Sequence, residues 1–128
     1  AERFELKIIS PDEDYEGEGT FLEFVSVEGE MGVYQNHIPL TTILEPCVMK
    51  IHNESEVKKA AISGIVEIQK DKITVLAEDA QWPEEIDVER AKKAEERAKE
   101  RLAKKDGIDV LRAEVALKKA IARQNAVK

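Results

Sequence analysis

The hydrophobic period of this chain changes once, at "AQWPEE" around Pro83, and that change limits what it can fold into. Ahead of it the sequence reads in twos. "RFELKII" sets Phe4, Leu6 and Ile8 against Glu5 and Lys7. "FLEFVSV" (Phe21 to Val27), "CVMKI" (Cys47 to Ile51), "VKKAAI" (Val57 to Ile62), "IVEIQ" (Ile65 to Gln69) and "KITVLA" (Lys72 to Ala77) follow. Period two gives a strand one apolar and one polar face. The segments between, "PDEDYEGEG", "HNESE", "SG" and "KDK", are rich in turn formers. Many short strands at close spacing point to an antiparallel sandwich or barrel.

Pro83 disfavours helix at Trp82 and suits the first turn of one that follows. The boundary therefore falls there, with residues 1–83 as the sheet domain and residues 84–128 as a helical one. From Ile86 to about Lys104, Ala91, Ala94, Ala98 and Leu102 share a helical face. "KKDG" ends that helix, with Lys104 and Lys105 in its last turn and Gly107 just past it. A second helix is expected from Asp109 to about Gln124, with Val110, Ala113, Leu117, Ala120 and Ile121 on one face. Two helices on so short a link fold back as an antiparallel hairpin. The expected fold class is α+β, a β-sandwich followed by a two-helix hairpin. The first helix offers mostly methyl groups, each contributing about 0.8 kcal/mol when buried. Such a hairpin opens at modest cost.

Charge divides at the same place. The net charge of −7 is a −10 body (residues 1–83) carrying a +3 tail (residues 84–128). The tail is expected to meet something acidic: its own body, an acidic partner or a phosphate ligand. The pI near 5.0 argues against a nucleic-acid binder. Cys47 is the sole cysteine, which excludes an internal disulfide and fits a reducing compartment. No apolar run reaches the roughly 18 residues of a membrane span. The opening "AERFELKIIS" does not read as a signal peptide. The expectation is a soluble, intracellular chain.

Catalytic signatures are missing. There is no G-x-x-x-x-G-K-[ST] phosphate loop and no G-x-G-x-x-G turn. His37 and His52 lack metal-ligand spacing, and nothing near them supports a nucleophilic triad. No catalytic residue and no metal site is expected.

One phrase is written twice. "IDVERA" (Ile86 to Ala91) returns as "IDVLRA" (Ile108 to Ala113). Helix grammar explains part of it. Asp87 and Asp109 can each cap a helix amino terminus. The isoleucine before each is placed for an apolar contact back onto the first turn. Capping requires neither the arginine nor the second alanine, so a ligand site is the other reading.

The loop "SVEGEMGVYQNHIPLTTIL" (Ser26 to Leu44) closely resembles the G-[ED]-[LMI]-G-[IV]-x-x-x-H-x-P-L signature of the epsilon subunit of bacterial F-type ATP synthases. Gly29, Glu30, Met31, Gly32, Val33, His37, Pro39 and Leu40 carry the match. "SGIVEI" and "KITVLA" look like the family too, so the likeness spans essentially the whole chain. Where the family often has Pro-Gly before the histidine, this chain has Gln35-Asn36, so that turn is expected to differ.

The resemblance implies a sandwich of about ten strands at the foot of a central stalk, against the gamma subunit and the ring of c subunits. Glu30 and His37 would lie at that contact. The plainer reading is that Gly29 and Gly32 make a tight turn in which His37 packs. The resemblance also implies a mobile hairpin that lies on the sandwich or rises along gamma, where it inhibits ATP hydrolysis. Arg112, Lys118, Lys119 and Arg123 would then face an acidic stretch of the catalytic beta subunits in the alpha/beta assembly. The subunit would be non-catalytic and peripheral, at the cytoplasmic face of the bacterial membrane, without inserting into it.

"IDVERA" is similar to the I/L-D-x-x-R-A nucleotide motif of some epsilon subunits. That likeness implies regulatory ATP, with or without Mg²⁺, held by Asp87, Arg90, Ala91, Arg97, Arg123, Lys119 and Gln81. Small Ala91 would leave room for the base. Lys119 and Gln81 stand where known binders carry arginine and glutamate, and lysine lacks the planar fork that arginine offers phosphate. ATP binding only the folded hairpin would stabilise it by about 2.7 kcal/mol at a concentration 100 times Kd. The alternative is a purely structural stalk subunit with no nucleotide site.

Overall fold

Among the residues described by this computed structural model, 2–104 and 109–128, seven strands form one hydrogen-bonded sheet. They are β1 (Phe4–Ile9), β2 (Asp14–Gly19), β3 (Phe21–Ser26), β4 (Gly29–Val33), β5 (Leu40–His52), β6 (Val57–Ile68) and β7 (Lys72–Gln81). Their order is β2-β1-β7-β6-β5-β3-β4. All pairings are antiparallel except β1 with β7, which are parallel. A parallel pair needs a long crossover, and here the intervening strands supply it.

Bulges fold this sheet on itself. In β5 the buried parity is Thr42 and Leu44, then Cys47, Met49 and Ile51, because Glu45 and Pro46 fall in a register shift against β6. A second shift, opposite Ser63 and Gly64, leaves Glu78 unpaired in β7. A bulge bends its strand and raises the local twist. The inward faces of β1, β3, β5, β6 and β7, with Val33 of β4, thus close on one core. Phe4, Leu22, Phe24, Met49, Ile51, Val66 and Val75 are all but inaccessible in it.

These bends also account for the strand count of seven against about ten. Segments expected as separate strands are continuous through them. "SG" is no turn: Ser63 and Gly64 lie inside β6. Gly64 has φ 142°, and a Cβ there would sit 2.1 Å from the Leu76 carbonyl oxygen, so only glycine lets the two strands pass. "PDEDYEGEG" is only partly a turn, since Asp14–Gly19 is β2, paired along its length with β1. Its polar composition hid it, because an edge strand buries little.

A single 3₁₀ turn (Pro83–Glu85) links the sheet to α1 (Val88–Lys104), and α2 (Val110–Ala126) follows. Trp82 anchors the link against Tyr15, ring centroids 5.0 Å apart, and its backbone N–H donates to Glu85 at 3.0 Å. Lys105, Gly107 and Ile108 of the expected turn and repeat lie outside the described residues. Asp87 and Asp109 accept from the backbone N–H of Arg90 and Arg112, each at 3.1 Å, as helix caps. Ile86 packs with Ala61, Ala122 and Ala126, anchoring the start of the hairpin to the sheet and to α2.

Helix α2 lies across β5 and β6, and α1 packs on α2. α1 buries Ala91 and Ala98 on the expected face, with Ala94 and Leu102 half-buried. α2 has two seams. Ala113, Leu117, Ala120 and Gln124 share the face toward α1, where Gln124 donates to Glu95 at 2.7 Å. Ala122 and Ala126 meet Ala61 of β6. The expected Val110 and Ile121 stay exposed, at 41% and 39%, because the second apolar face of α2 is alanine turned to the sheet. The cover of α2 explains why β6 is buried on both faces from Ala60 to Ser63.

Candidate nucleotide and partner sites

The basic residues of α2 divide by face. Lys118 Nζ donates to Glu45 at 2.7 Å, Lys119 Nζ to Glu78 at 3.0 Å, and the Arg123 guanidinium to Asp79. All three acceptors belong to the sandwich, and Glu45 and Glu78 sit at register shifts of β5 with β6 and of β6 with β7. Arg123 Nε is buried with no acceptor among the described residues. The hydroxyl of Ser63, which is opposite Asp79 across β6 and β7, is likewise buried and unpartnered there.

The residues of the repeat lie elsewhere. Arg90 and Arg97 are on the solvent-exposed surface of α1 and make no ion pair among the described residues. Asp87 is exposed and occupied as a cap. Ala91 is 3% exposed in the helix seam, so here its small side chain lets two helices approach closely. Gln81 is half-buried at the end of β7, opposite Ala61. Lys119 and Arg123 are thus held by Glu78 and Asp79, three and two residues before Gln81 in β7, while Arg90 and Arg97 stand exposed on α1. Arg112 is exposed in the first turn of α2. Between the helices, Glu95 is bonded to Lys99 and Gln124, and these bonds, Lys99 first, hold its carboxyl below the ordinary glutamate value. No group of three His, Cys, Asp or Glu among the described residues is placed to hold a metal.

The histidine segment holds two turns, one on either side of β4. Ser26 and Gly29 close a two-residue hairpin, in which the Ser26 hydroxyl donates to the Gly29 carbonyl at 3.0 Å. Glu30 follows in β4 with its side chain in solvent. Gly32 is not part of the turn: it lies within β4 under the Phe21 ring, where a Cβ would come within 2.8 Å. Asn36 takes φ 67°, a left-handed conformation that asparagine tolerates. His37 is half-buried and its Nδ1 donates to the Ile38 carbonyl at 2.6 Å. Tyr34 and Ile38 beside it are exposed.

An apolar row was not foreseen from the alternation. Ile43 pairs with Ile65, Ile65 with Leu76, and Leu76 with Ile9 across four hydrogen-bonded strands. Val27 joins through its N–H to the Ile43 carbonyl at 3.0 Å. Val27, Ile43, Ile65 and Leu76 are 53%, 55%, 40% and 47% exposed. They line one side of a groove of about 760 Å³ whose far wall is Val115 and Lys119 of α2. The sequence does carry a trace of this row. Ile8-Ile9, Ile43-Leu44, Ile65-Val66 and Val75-Leu76 are apolar doublets, so each strand is apolar on both faces at one level.

Two family models cover the chain. "ATP synthase, Delta/Epsilon chain, beta-sandwich domain" matches residues 3–83, and "ATP synthase, Delta/Epsilon chain, long alpha-helix domain" matches residues 84–128. The chain is 40% identical over 131 residues to the ATP synthase epsilon chain of Clostridium kluyveri, covering 100% of this chain and 99% of that one. It is 42% identical over 122 residues to that of Halalkalibacterium halodurans, 92% of each. A chain in the structure of the Euglena gracilis mitochondrial ATP synthase has the same fold, with a TM-score of 0.81 at 24% identity, covering 100% of this chain and 83% of that one. Matched by both models and about 40% identical along its length to bacterial epsilon chains, this chain belongs to the delta/epsilon family of ATP synthase subunits.

Proposed function

We propose that this chain is a non-catalytic, regulatory subunit of the central stalk of a bacterial F-type ATP synthase, held peripherally at the cytoplasmic face of the membrane. Its sandwich docks on the gamma subunit and the c-ring, and its hairpin restrains ATP hydrolysis by the alpha/beta assembly. The observation that carries the docking is the exposed row of Val27, Ile43, Ile65 and Leu76. A contiguous apolar strip on a sheet face is a partner surface. Glu30 and the half-buried His37, with the exposed Ile38 beside it, are the further proposed contacts. Arg112 and Lys118, exposed on α2, are the cations for an acidic partner. The test is co-elution with gamma. Ile43→Asp with Ile65→Asp is expected to abolish it; undiminished association overturns the docking.

ATP is the proposed regulatory ligand, holding the hairpin folded. Arg90, Arg97, Lys119 and Arg123 supply the charge to neutralise a triphosphate, and such charge-assisted bonds are among the stronger polar contacts. Lys119 and Arg123 must exchange Glu78 and Asp79 for phosphate, which keeps affinity modest. Isothermal titration of the full chain with ATP, with and without Mg²⁺, tests this alongside Trp82 emission. No heat and no spectral change favours the alternative, a purely structural stalk subunit. The engagement of Asp87 as a helix cap supports that second reading.

A further inference from the structure

Three cations of α2 reach three carboxylates of the sandwich within six residues of helix: Lys118 to Glu45, Lys119 to Glu78 and Arg123 to Asp79. Two of the acceptors do not come from regular sheet. Glu45 falls in the register shift of β5, and Glu78 is the unpaired residue of the β7 bulge, with Asp79 beside it. A bulge re-aims the side chain it carries. The register shifts at Glu45 and at Glu78 therefore each aim a carboxylate at the helix. The buried apolar contact beneath is small-sided, with Ala122 and Ala126 on Ala61 and Val48 and Ile86 packed against them. Methyl groups hold weakly, so charge contributes a large share of what keeps α2 down.

We infer that Glu45, Glu78 and Asp79 are an electrostatic latch that holds the hairpin on the sandwich, so that the resting position of α2 depends on ionic strength even without nucleotide. The inference rests on the reading of the hairpin as a moving element and names what restrains it. The pairs are partly exposed, with side-chain accessibilities of 51% and 29% for Lys118 and Glu45, and 28% and 32% for Arg123 and Asp79. Exposed pairs are screened by salt over a Debye length of about 10 Å at 0.1 M and about 3 Å at 1 M. Mobile ions thus compete with the latch directly. Arg123 adds a directional element. Its Nε has no acceptor among the described residues, and losing Asp79 leaves this part-buried guanidinium without its carboxylate.

The test is a distance measurement on the full chain, without nucleotide. Spin labels go on Glu67→Cys in β6 and Ala116→Cys in α2, both exposed, in a Cys47→Ala background. At 50 mM NaCl one short distance is expected, and at 500 mM a longer one grows in. Glu45→Gln/Glu78→Gln/Asp79→Asn is expected to raise the long-distance population about tenfold at 50 mM NaCl, the sum of three modest pairs, and to remove the salt response. Glu45→Lys paired with Lys118→Glu is expected to restore the short distance that either change alone loses. The proposal is overturned if the triple variant keeps the native distribution at both salts. It is also overturned if the reversed pair fails to restore what its single changes lose. Because no nucleotide is present, a chain that proves not to bind ATP leaves this result intact.

Discussion

Arg123 of α2 donates to Asp79 of β7, a contact spanning 44 residues of sequence and joining the hairpin to the sandwich. It places in one ion pair a residue that family likeness assigns to nucleotide and a carboxylate that no motif singled out. Asp79→Asn is expected to lower the protection of α2 amides by about 1 kcal/mol, the scale of a partly exposed pair. Sandwich amides should be unaffected. Native-state hydrogen exchange checks this, and equal loss in sheet and helix would mean that Asp79 supports the sandwich itself.

Arg90 and Arg97 are unpaired among the described residues and free to take a ligand. Arg90→Ala and Arg97→Ala are each expected to weaken ATP binding by about tenfold, the loss of one charge-assisted contact. Titration calorimetry measures it, and circular dichroism should show the sheet intact. Native affinity in both variants would remove these arginines from the site.

The two caps are independent of any ligand. Asp87→Ala and Asp109→Ala should each destabilise their helix by about 1 kcal/mol. Asp109→Asn should recover most of the loss, since asparagine also accepts from the Arg112 N–H. The readout is helical ellipticity on heating.

Glu95 couples the hairpin to pH. Its carboxyl is held below the ordinary value by Lys99 and then Gln124. A depressed folded value means that the charged form is bound better in the folded state. The contribution is therefore present above the ordinary glutamate range and is lost as pH falls through the lower, folded value. Glu95→Gln should flatten the acid limb of hairpin stability. An acid limb identical to that of the native chain would show that other carboxylates govern it.

Gly64 is the least replaceable glycine. Gly64→Ala sets a Cβ against the Leu76 carbonyl at φ 142°. Urea unfolding should show a loss of more than about 3 kcal/mol, beyond the ordinary range of single substitutions. A loss below about 1 kcal/mol would mean that the strands separate easily.

The sequence by itself determined the two periods, both aspartate caps and the alanine seam of α1. Each depends on residues close together in the chain, where backbone geometry ties spacing to face. Tertiary structure decided the rest. Glu45-Pro46 and Glu78 read as breaks in alternation, and only pairing with distant strands turns those breaks into bulges that aim carboxylates at α2. Apolar doublets such as Ile43-Leu44 show that both faces of a strand are apolar, but not that four of them align into one exposed row. Register between strands is set by contacts remote in sequence, and that is the information local spacing does not carry.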